Sequence, residues 1–176
     1  MALLLESDLE EMMENFLLEP MFLKENYHNN IGNKDEFIVK RQFTIGRYGI
    51  CDLITLSRPK YNVKTGKHSK IKITIYELKK GELNVEALMQ VATYSKGVER
   101  WLVHNKQLKD YEIKCVLVGS EIQRNSWVYL SSQLLDKDKI KIYKYNIDYN
   151  GLYLIPVDLS TYCKSNEFGE KEEDPF

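Results

Sequence analysis

Short apolar stretches separated by glycine and asparagine turn signals dominate the first half of the chain. The pattern of hydrophobic and polar positions predicts strands over residues 37–45, 50–56 and 71–79. Turn signals at 46–49 and 64–67 connect these strands, so we expect them to form an antiparallel meander. Because the second strand is largely apolar on both faces, we expect it to lie inside the sheet and to be covered on both sides.

An amphipathic helix is predicted before this meander. Ser7 followed by Glu10 indicates a capping box, and apolar residues then recur at helical spacing until Pro20. The recurring residues are Leu9, Met12, Met13, Phe16 and Leu17. Glu6 lies on the same stripe and is the acid expected to point inward, with Glu10 as the alternative. Both acids also fit an ordinary first helical turn, where the helix dipole favours negative charge.

A second and longer helix is expected from Asn84, its predicted cap, to about His104. Its main apolar stripe and a second ridge lie nearly opposite each other, which predicts a helix covered on both sides. The stripe comprises Val85, Leu88, Ala92 and Leu102, and the ridge comprises Gln90, Tyr94, Gly97 and Trp101. The alternative for the ridge is an exposed Gln90 beside a half-buried Tyr94.

The second half of the chain predicts a strand over 111–119, joined to the meander by a parallel crossover, and then a helix over 127–135. Two further strands flank Asn150-Gly151, a strong hairpin signal. The element order α-β-β-β-α-β-α-β-β describes an α/β fold with one mixed β-sheet flanked by helices. We expect residues 1–164 to form a single domain and the acidic stretch 165–176 to be a flexible tail.

Charge adds one feature to this picture. The 176 residues carry a formal net charge of -1, which is no general signature of nucleic-acid binding. Cations nevertheless cluster around the 64–67 turn, where they form either a solvated hairpin tip or a surface that contacts phosphates. These cations are Arg58, Lys60, Lys64, Lys67 and Lys70, with His68 and Lys72 in the same patch.

Cysteine usage and hydropathy favour a cytoplasmic protein with reduced thiols. The 3 cysteines are widely spaced and form no CxxC pair, so neither a disulfide framework nor a zinc site is expected. The 3 histidines likewise show no metal-ligand spacing. No apolar run approaches the length needed to cross a membrane, and the leucines at 3–5 are too few for a signal-peptide core.

Three charged residues lie on strands that otherwise have the pattern of core strands. Folding the chain at the 64–67 turn brings Asp52 opposite Glu77 or Lys79, and residues two apart in a strand share a face. Charges gathered on an apolar face cost several kcal/mol each unless something compensates them. A divalent metal ion is the natural compensation, and a register slip of one residue would remove the site. The similar triplet at 112–114 has no acid placed across from it.

Taken in order, four motifs resemble the PD-(D/E)xK nuclease superfamily, and within it the RecB-like and NucS-type endonuclease branch. The motifs are Glu6 in the first helix, Gly46-Arg47-x-x-x-x-Asp52-Leu53, Glu77-Leu78-Lys79 and Gln90-x-x-x-Tyr94. Cys51 stands where the name-giving proline would be. The resemblance extends more loosely through the strand at 111–119, and it implies a restriction-endonuclease-like core of order α-β-β-β-α-β.

The resemblance also implies a metal site. Asp52 and Glu77 would bind Mg²⁺ or Mn²⁺, helped by the backbone carbonyl of Leu78. Glu6 would complete the metal shell, directly or through water. Lys79 would orient or activate the attacking water and stabilise charge on the phosphate. Hard divalent cations prefer such oxygen ligands, and they lower the pKa of a bound water while polarising the phosphoryl group.

Two further sets of residues follow from the same resemblance. Gln90 and Tyr94 would support Lys79 and the metal waters, or touch the substrate backbone. Arg47, together with the cations of the 64–67 turn, would contact nucleic acid. Targeting of the nuclease to its substrate would depend on that turn, on a homodimer or on a protein partner.

The function expected on this basis is metal-dependent hydrolysis of DNA phosphodiester bonds, in single-stranded, branched or duplex DNA, within repair, recombination or restriction. A different class of function is a catalytically inactive nucleic-acid-binding or assembly module with the same fold. In a third interpretation the charges only decorate the surface of an unrelated α/β protein, and Asp52 and Glu77 would then point to different faces or lie well apart.

Overall fold

The computed structural model describes residues 4–19, 37–57, 61–64, 66–68, 70–104, 110–122 and 139–157. The helices in these ranges are α1 (Glu6–Leu18) and α2 (Val85–His104), with a 3₁₀ turn at Gly46–Tyr48. The longer strands are β1 (Phe37–Thr44), β2 (Ile50–Ser57), β5 (Ile71–Leu78), β7 (Tyr111–Gly119), β9 (Ile140–Asp148) and β10 (Gly151–Pro156). The two-residue strands are β3 (Tyr61–Asn62), β4 (Lys67–His68), β6 (Glu82–Leu83) and β8 (Glu121–Ile122). Neither of these helices is long and apolar enough to cross a membrane.

The long strands form one mixed sheet of 6 strands in the order β1-β2-β5-β7-β9-β10. Strands β1, β2 and β5 are antiparallel neighbours, which confirms the predicted meander. Strand β7 lies parallel to β5 after the α2 crossover, and β9 and β10 form the predicted hairpin. This arrangement agrees with the expected restriction-endonuclease-like core. The predicted helix at 127–135 and the tail at 165–176 lie outside the described residues.

The two faces of the sheet bury separate hydrophobic clusters. On one face the buried residues of α1 pack against alternate residues of the central strands. The helix residues are Leu9, Met13 and Leu17, and the strand residues are Leu53, Tyr76 and Leu78. On the other face α2 covers the intervening residues, among them Ile73, Ile75 and Leu117. The central strands are therefore covered on both sides, as their continuous apolar pattern predicted.

Helix α1 begins earlier than the capping-box prediction placed it, so that prediction is wrong. The N-cap is Leu5, and its backbone N–H donates to Asp8 Oδ2 at 2.8 Å. Because Asp8 satisfies this N–H, the helix can start at Glu6 without a Ser7 cap. Glu6 and Glu10 consequently lie one helical turn apart on the same side of α1.

Helix α2 starts as predicted, since Ala87 N–H donates to Asn84 Oδ1 at 3.0 Å. The prediction of two opposite covered ridges is wrong, because α2 has one wide buried face. This face comprises Ala87, Leu88, Val91, Tyr94, Gly97, Val98 and Leu102. Tyr94 and Gly97 belong to it because α2 packs against both the sheet and the 3₁₀ turn, whereas Gln90 and Trp101 are exposed.

Gly97 permits a close approach between α2 and the 3₁₀ turn. A Cβ atom at this position would lie 2.7 Å from Ile45 Cγ2 and 2.7 Å from the ring of Tyr48. These are distances that real Cβ atoms do not tolerate, and neither contact is the free end of a flexible side chain. The turn is therefore held against α2 because residue 97 has no side chain.

We expect Gly97→Ala to lower the free energy of unfolding by about 1–3 kcal/mol, as overpacked interiors do, despite the better helix propensity of alanine. Urea denaturation followed by circular dichroism measures this change. Gly81→Ala is the matched control, since a Cβ there meets no atom within 4 Å. Its stability should stay within about 0.5 kcal/mol of wild type. Equal stability of the two variants would contradict the close packing.

Candidate active site

The site lies where the β2–β5 ladder ends. Paired residues run from Leu53 opposite Tyr76 to Ser57 opposite Lys72. One further step in this register would put Asp52 across from Glu77. At that step Asp52 Oδ2 accepts a hydrogen bond of 2.7 Å from Leu78 N–H. As far as Leu53 and Tyr76, the ladder has the register on which the sequence prediction depended. The charge of Asp52 acts on Glu77, so the two carboxylates lie near each other. That they share one face of the sheet stays a prediction.

Glu77 is the most buried charged group of the site. Its side chain is 3% exposed, and Oε1 lies 2.8 Å from Lys79 Nζ, whose side chain is 30% exposed. The second oxygen, Oε2, is buried and has no hydrogen-bond partner among the described residues. Leaving a buried carboxylate oxygen unpaired costs free energy. A group bound at this oxygen would therefore remove a local cost of folding.

Burial dominates the titration of both acids. It raises the pKa of Glu77 to about 7, with a further contribution from the Asp52 charge, although the Lys79 hydrogen bond opposes the shift. The pKa of Asp52 is also raised by burial, against the effect of its bond to Leu78 N–H. For Lys79 burial alone would lower the pKa, but the Glu77, Asp52 and Glu6 carboxylates outweigh it and the net shift is upward. Lys79 therefore stays protonated at neutral pH.

Hydrogen bonds to β7 and β9 fix the backbone at Lys79 and Lys80. Lys79 N–H donates to Val118 O at 2.8 Å. Tyr145 Oη donates to Lys80 O at 2.7 Å, which ties the segment after β5 to β9. These bonds limit the positions from which the Lys79 ammonium group can reach the site.

Helix α1 contributes acids at the edge of the site. Glu6 is exposed, and its charge acts on Asp52, Glu77 and Lys79. Its inward direction stays a prediction. Glu10 is also near, since burial and the charge of Asp52 both raise its pKa. Within the described ranges, no three His, Cys, Asp or Glu side chains lie close enough to hold a metal ion together. Binding of a metal ion by Glu6, directly or through water, stays a prediction.

Gln42 is a residue of this region that the sequence did not indicate. It lies between Arg41 and Phe43, which pair with Leu53 and Cys51 on β2, and its Nε2 donates to Glu10 Oε1 at 2.6 Å. Its φ of 48° falls in the left-handed region, which is uncommon outside glycine and carries strain that tends to occur at functional sites. A glutamine in a strand pattern gives no signal of this conformation.

Helix α2 brings Tyr94 to the site but leaves Gln90 at the surface. Tyr94 is buried, and its Cε1 lies 2.9 Å from where a Cβ of Gly49 would be. Burial and the charges of Glu77 and Asp52 raise the pKa of its hydroxyl. Gln90 is exposed, so the expectation that it would be covered is wrong. Its role is still a prediction, and the exposed position suits contact with a substrate backbone better than support of Lys79.

The predicted nucleic-acid contacts are divided. Arg58 and Lys60 lie outside the described residues, whereas Lys64 and Lys70 are exposed around the β3–β4 hairpin. Lys67 pairs with Asn62 in that hairpin. Arg47 lies apart from these cations on the 3₁₀ turn, with its guanidinium 5.6 Å from the centroid of the Tyr48 ring. Contact of any of them with nucleic acid stays a prediction.

The second acid-x-Lys triplet differs in burial. Glu112 Oε1 lies 3.1 Å from Lys114 Nζ, and the two side chains are 37% and 35% exposed. Such a solvated pair contributes little and needs no compensation. The context predicted from sequence thus separates the buried triplet from the surface triplet.

No family model matches the chain, and no curated protein sequence matches it. Among solved structures, the chain is similar to a repair endonuclease from Pyrococcus abyssi, at 20% identity, and to EndoMS in a complex with dsDNA, at 17% identity. Both superpositions have a TM-score of 0.43 and cover 77% of this chain. They cover 46% and 43% of the other chains, so this chain spans less than half of either. At this level of similarity, the activity must be inferred from the chain's own residues.

We expect Glu77→Gln to stabilise the protein increasingly as pH rises from about 5 to 8 when EDTA removes metal ions. The ordinary pKa of 4.5 applies to Glu77 in the unfolded chain and about 7 in the folded one, so the folded state binds the extra proton between them. Wild-type stability therefore falls across this window, by roughly 3 kcal/mol at most, and the amide removes that loss. Denaturant titrations at several pH values measure it.

Glu112→Gln is the control for this measurement, because its carboxylate is solvated. Its difference from wild type should not vary across the same pH window. A pH-independent difference for Glu77→Gln as well would show that the Glu77 carboxylate is solvated in the folded protein.

Proposed function

We propose that this chain is a metal-dependent nuclease of the PD-(D/E)xK type that hydrolyses DNA phosphodiester bonds. The observation that carries the proposal is the unpaired buried oxygen of Glu77, on the same face as Asp52 and next to the Lys79 ammonium group. A hairpin with a purely structural role gains nothing from two desolvated acids, one of which pairs with a lysine through only one of its oxygens. A hydrolytic site needs these groups.

The residues fit Mg²⁺ or Mn²⁺. Both ions bind oxygen ligands, and Mg²⁺ commonly takes only one or two carboxylates while keeping several waters. Asp52 and Glu77 would supply these carboxylates, and Glu77 Oε2 is available for this role. In a strand the N–H and C=O of one residue face the same neighbour, so the Leu78 carbonyl lies on the Asp52 side as well. Glu6 would act through a bound water.

The electrostatics support the same assignment. Two acids with raised pKa values repel each other when both are ionised, and a divalent cation between them removes this repulsion. When bound, the cation would lower the pKa of a water molecule and polarise the phosphoryl group. Lys79 would orient that water and donate to a phosphate oxygen, since its ammonium group stays charged. Tyr94 would limit the space beside Lys79, and Gln90 would contact the substrate backbone.

We expect the purified protein to cut DNA when Mg²⁺ or Mn²⁺ is present. Single-stranded, branched and duplex oligonucleotides labelled at one end would reveal both the cutting and the preferred substrate. Asp52→Asn should reduce cleavage to background because a metal ligand is lost. Lys79→Ala should reduce it by roughly 10²–10³-fold, the usual effect of removing one group that stabilises transition-state charge.

Glu112→Gln and Lys114→Ala are matched controls for these substitutions, since they change the solvated triplet. Both should cut as wild type does. Full activity of Asp52→Asn or Lys79→Ala would reject the assigned site.

A binding measurement separates the nuclease from an inactive module of the same fold. Mn²⁺ should raise the melting temperature of wild type, and more at pH 8 than at pH 6, because Glu77 must lose its proton to bind the ion. Asp52→Asn should abolish this shift, whereas Glu112→Gln should retain it. If wild type shows no Mn²⁺ shift at either pH, the inactive module is the better description.

A further inference from the structure

A cavity of about 530 Å³ lies on the same face of the sheet as the proposed metal site. It is bounded by the 3₁₀ turn, the second half of α2, the end of β1 and the second half of β2. Its volume falls in the range of about 300–1,000 Å³ that is usual for small-molecule sites. We call it the Trp101 cavity.

Flat aromatic side chains and aliphatic ones line the Trp101 cavity. Trp101 is 58% exposed and Phe43 is 41% exposed, so both present ring surface to a ligand. Tyr48, Ile54 and Leu56 form other parts of the lining. This composition suits a flat and largely apolar group.

Two guanidinium groups lie at the same cavity. Arg100 Nη1 donates to Tyr48 Oη at 2.8 Å, and the Arg47 guanidinium lies over the Tyr48 ring. Hydrogen bonds from these arginines lower the pKa of the Tyr48 hydroxyl. None of the described residues that line the cavity is acidic. A ligand with a flat apolar part and an anionic part complements this surface.

The cavity and the proposed metal site share the wall formed by α2 and the turn at 45–49. Tyr94 touches Gly49 near Asp52, and Gly97 lies against Ile45 and Tyr48 at the cavity. From Tyr94 to Trp101 the helix rises by about 10 Å, which equals roughly three nucleotides at a stacked spacing of 3.4 Å. A strand that passes Tyr94 along the helix would therefore meet the cavity about three nucleotides away.

We infer that the Trp101 cavity binds an unpaired base of the DNA strand, with the base against Trp101 and the adjoining phosphate against Arg47 and Arg100. The inference rests on the nuclease function proposed above and defines its substrate class, which is DNA with a single-stranded or extrahelical nucleotide near the cut. Aromatic side chains are general platforms for unpaired bases, and arginines at the edge of such a platform contact the backbone. A fully paired duplex keeps its bases stacked and offers none to the cavity.

The test uses oligonucleotide binding in EDTA, so that it does not depend on cleavage. The probes are a single strand that contains 2-aminopurine and the same strand annealed to its complement. Wild type should quench the emission of the single-stranded probe by stacking. Trp101→Ala should remove this quenching and weaken single-strand binding at least about fivefold. Duplex binding should change less than about twofold, because paired bases do not enter the cavity.

Three further variants serve as controls for the ring, for the position on α2 and for the phosphate contact. Trp101→Phe should restore most of the affinity and quenching, since a ring is retained. Val103→Ala, on an equally exposed position of α2 outside the cavity, should bind both probes as wild type does. Arg47→Gln should weaken binding of both probes and reduce the slope of log affinity against log salt for the single strand by roughly 0.7, as expected for one lost phosphate contact. Circular dichroism verifies the folding of each variant.

The possible outcomes separate the cavity from the nuclease proposal. Equal single-strand affinity and quenching for wild type and Trp101→Ala would overturn the base-binding inference, and would leave the cavity to another occupant such as a protein segment, even if wild type cuts DNA. Loss of quenching in Trp101→Ala with no cleavage by wild type in any metal would support base binding and reject the nuclease proposal. A loss of affinity for both probes in Trp101→Ala would overturn the specificity for unpaired bases.

Discussion

The hydrogen bond from Leu78 N–H to Asp52 marks the point at which a regular sheet becomes a candidate site. Up to Leu53 and Tyr76 the strands β2 and β5 pair through their backbones, and one residue later a carboxylate takes the place of the backbone acceptor. This exchange satisfies the donor of Leu78 and fixes Asp52 beside Glu77. Because side chains alternate along a strand, a slip of one residue would send one acid to the α1 face of the sheet. The candidate site therefore depends on the pairing of the meander.

The site is maintained against a local cost. Glu77 is buried by the same packing that forms the core, and one of its oxygens has no partner in the described part of the chain. Sequences selected only for stability would replace such an acid with an apolar residue. The strain at Gln42, between the two β1 residues that pair with Leu53 and Cys51, is a second local cost in the same region. Two costs of this kind at the end of one hairpin favour a functional reason over a structural one.

Helix α2 connects the two surfaces to which function is assigned. Its buried face covers the sheet, Tyr94 reaches the acids, and the absence of a side chain at Gly97 lets the 3₁₀ turn lie close beside it. Arg47 and Arg100 come from different elements and meet at Tyr48 only because of this close packing. The proposed metal site and the Trp101 cavity thus lie along one wall, an arrangement that would suit a substrate held on both sides of the reacting bond.

The sequence alone determined the order of the elements, the meander, the parallel crossover and the pair Asp52 and Glu77, because alternating apolar positions and turn residues are local signals. It also distinguished the triplet at Glu77 from that at Glu112, because only the first has an acid predicted across from it. The start of α1, the exposure of Gln90, the conformation of Gln42 and the Trp101 cavity were decided only by the tertiary structure. Each depends on which groups from distant parts of the chain meet. A helical pattern cannot tell how wide a face its neighbours will bury, and spacing cannot show that one oxygen of a buried acid is left without a partner.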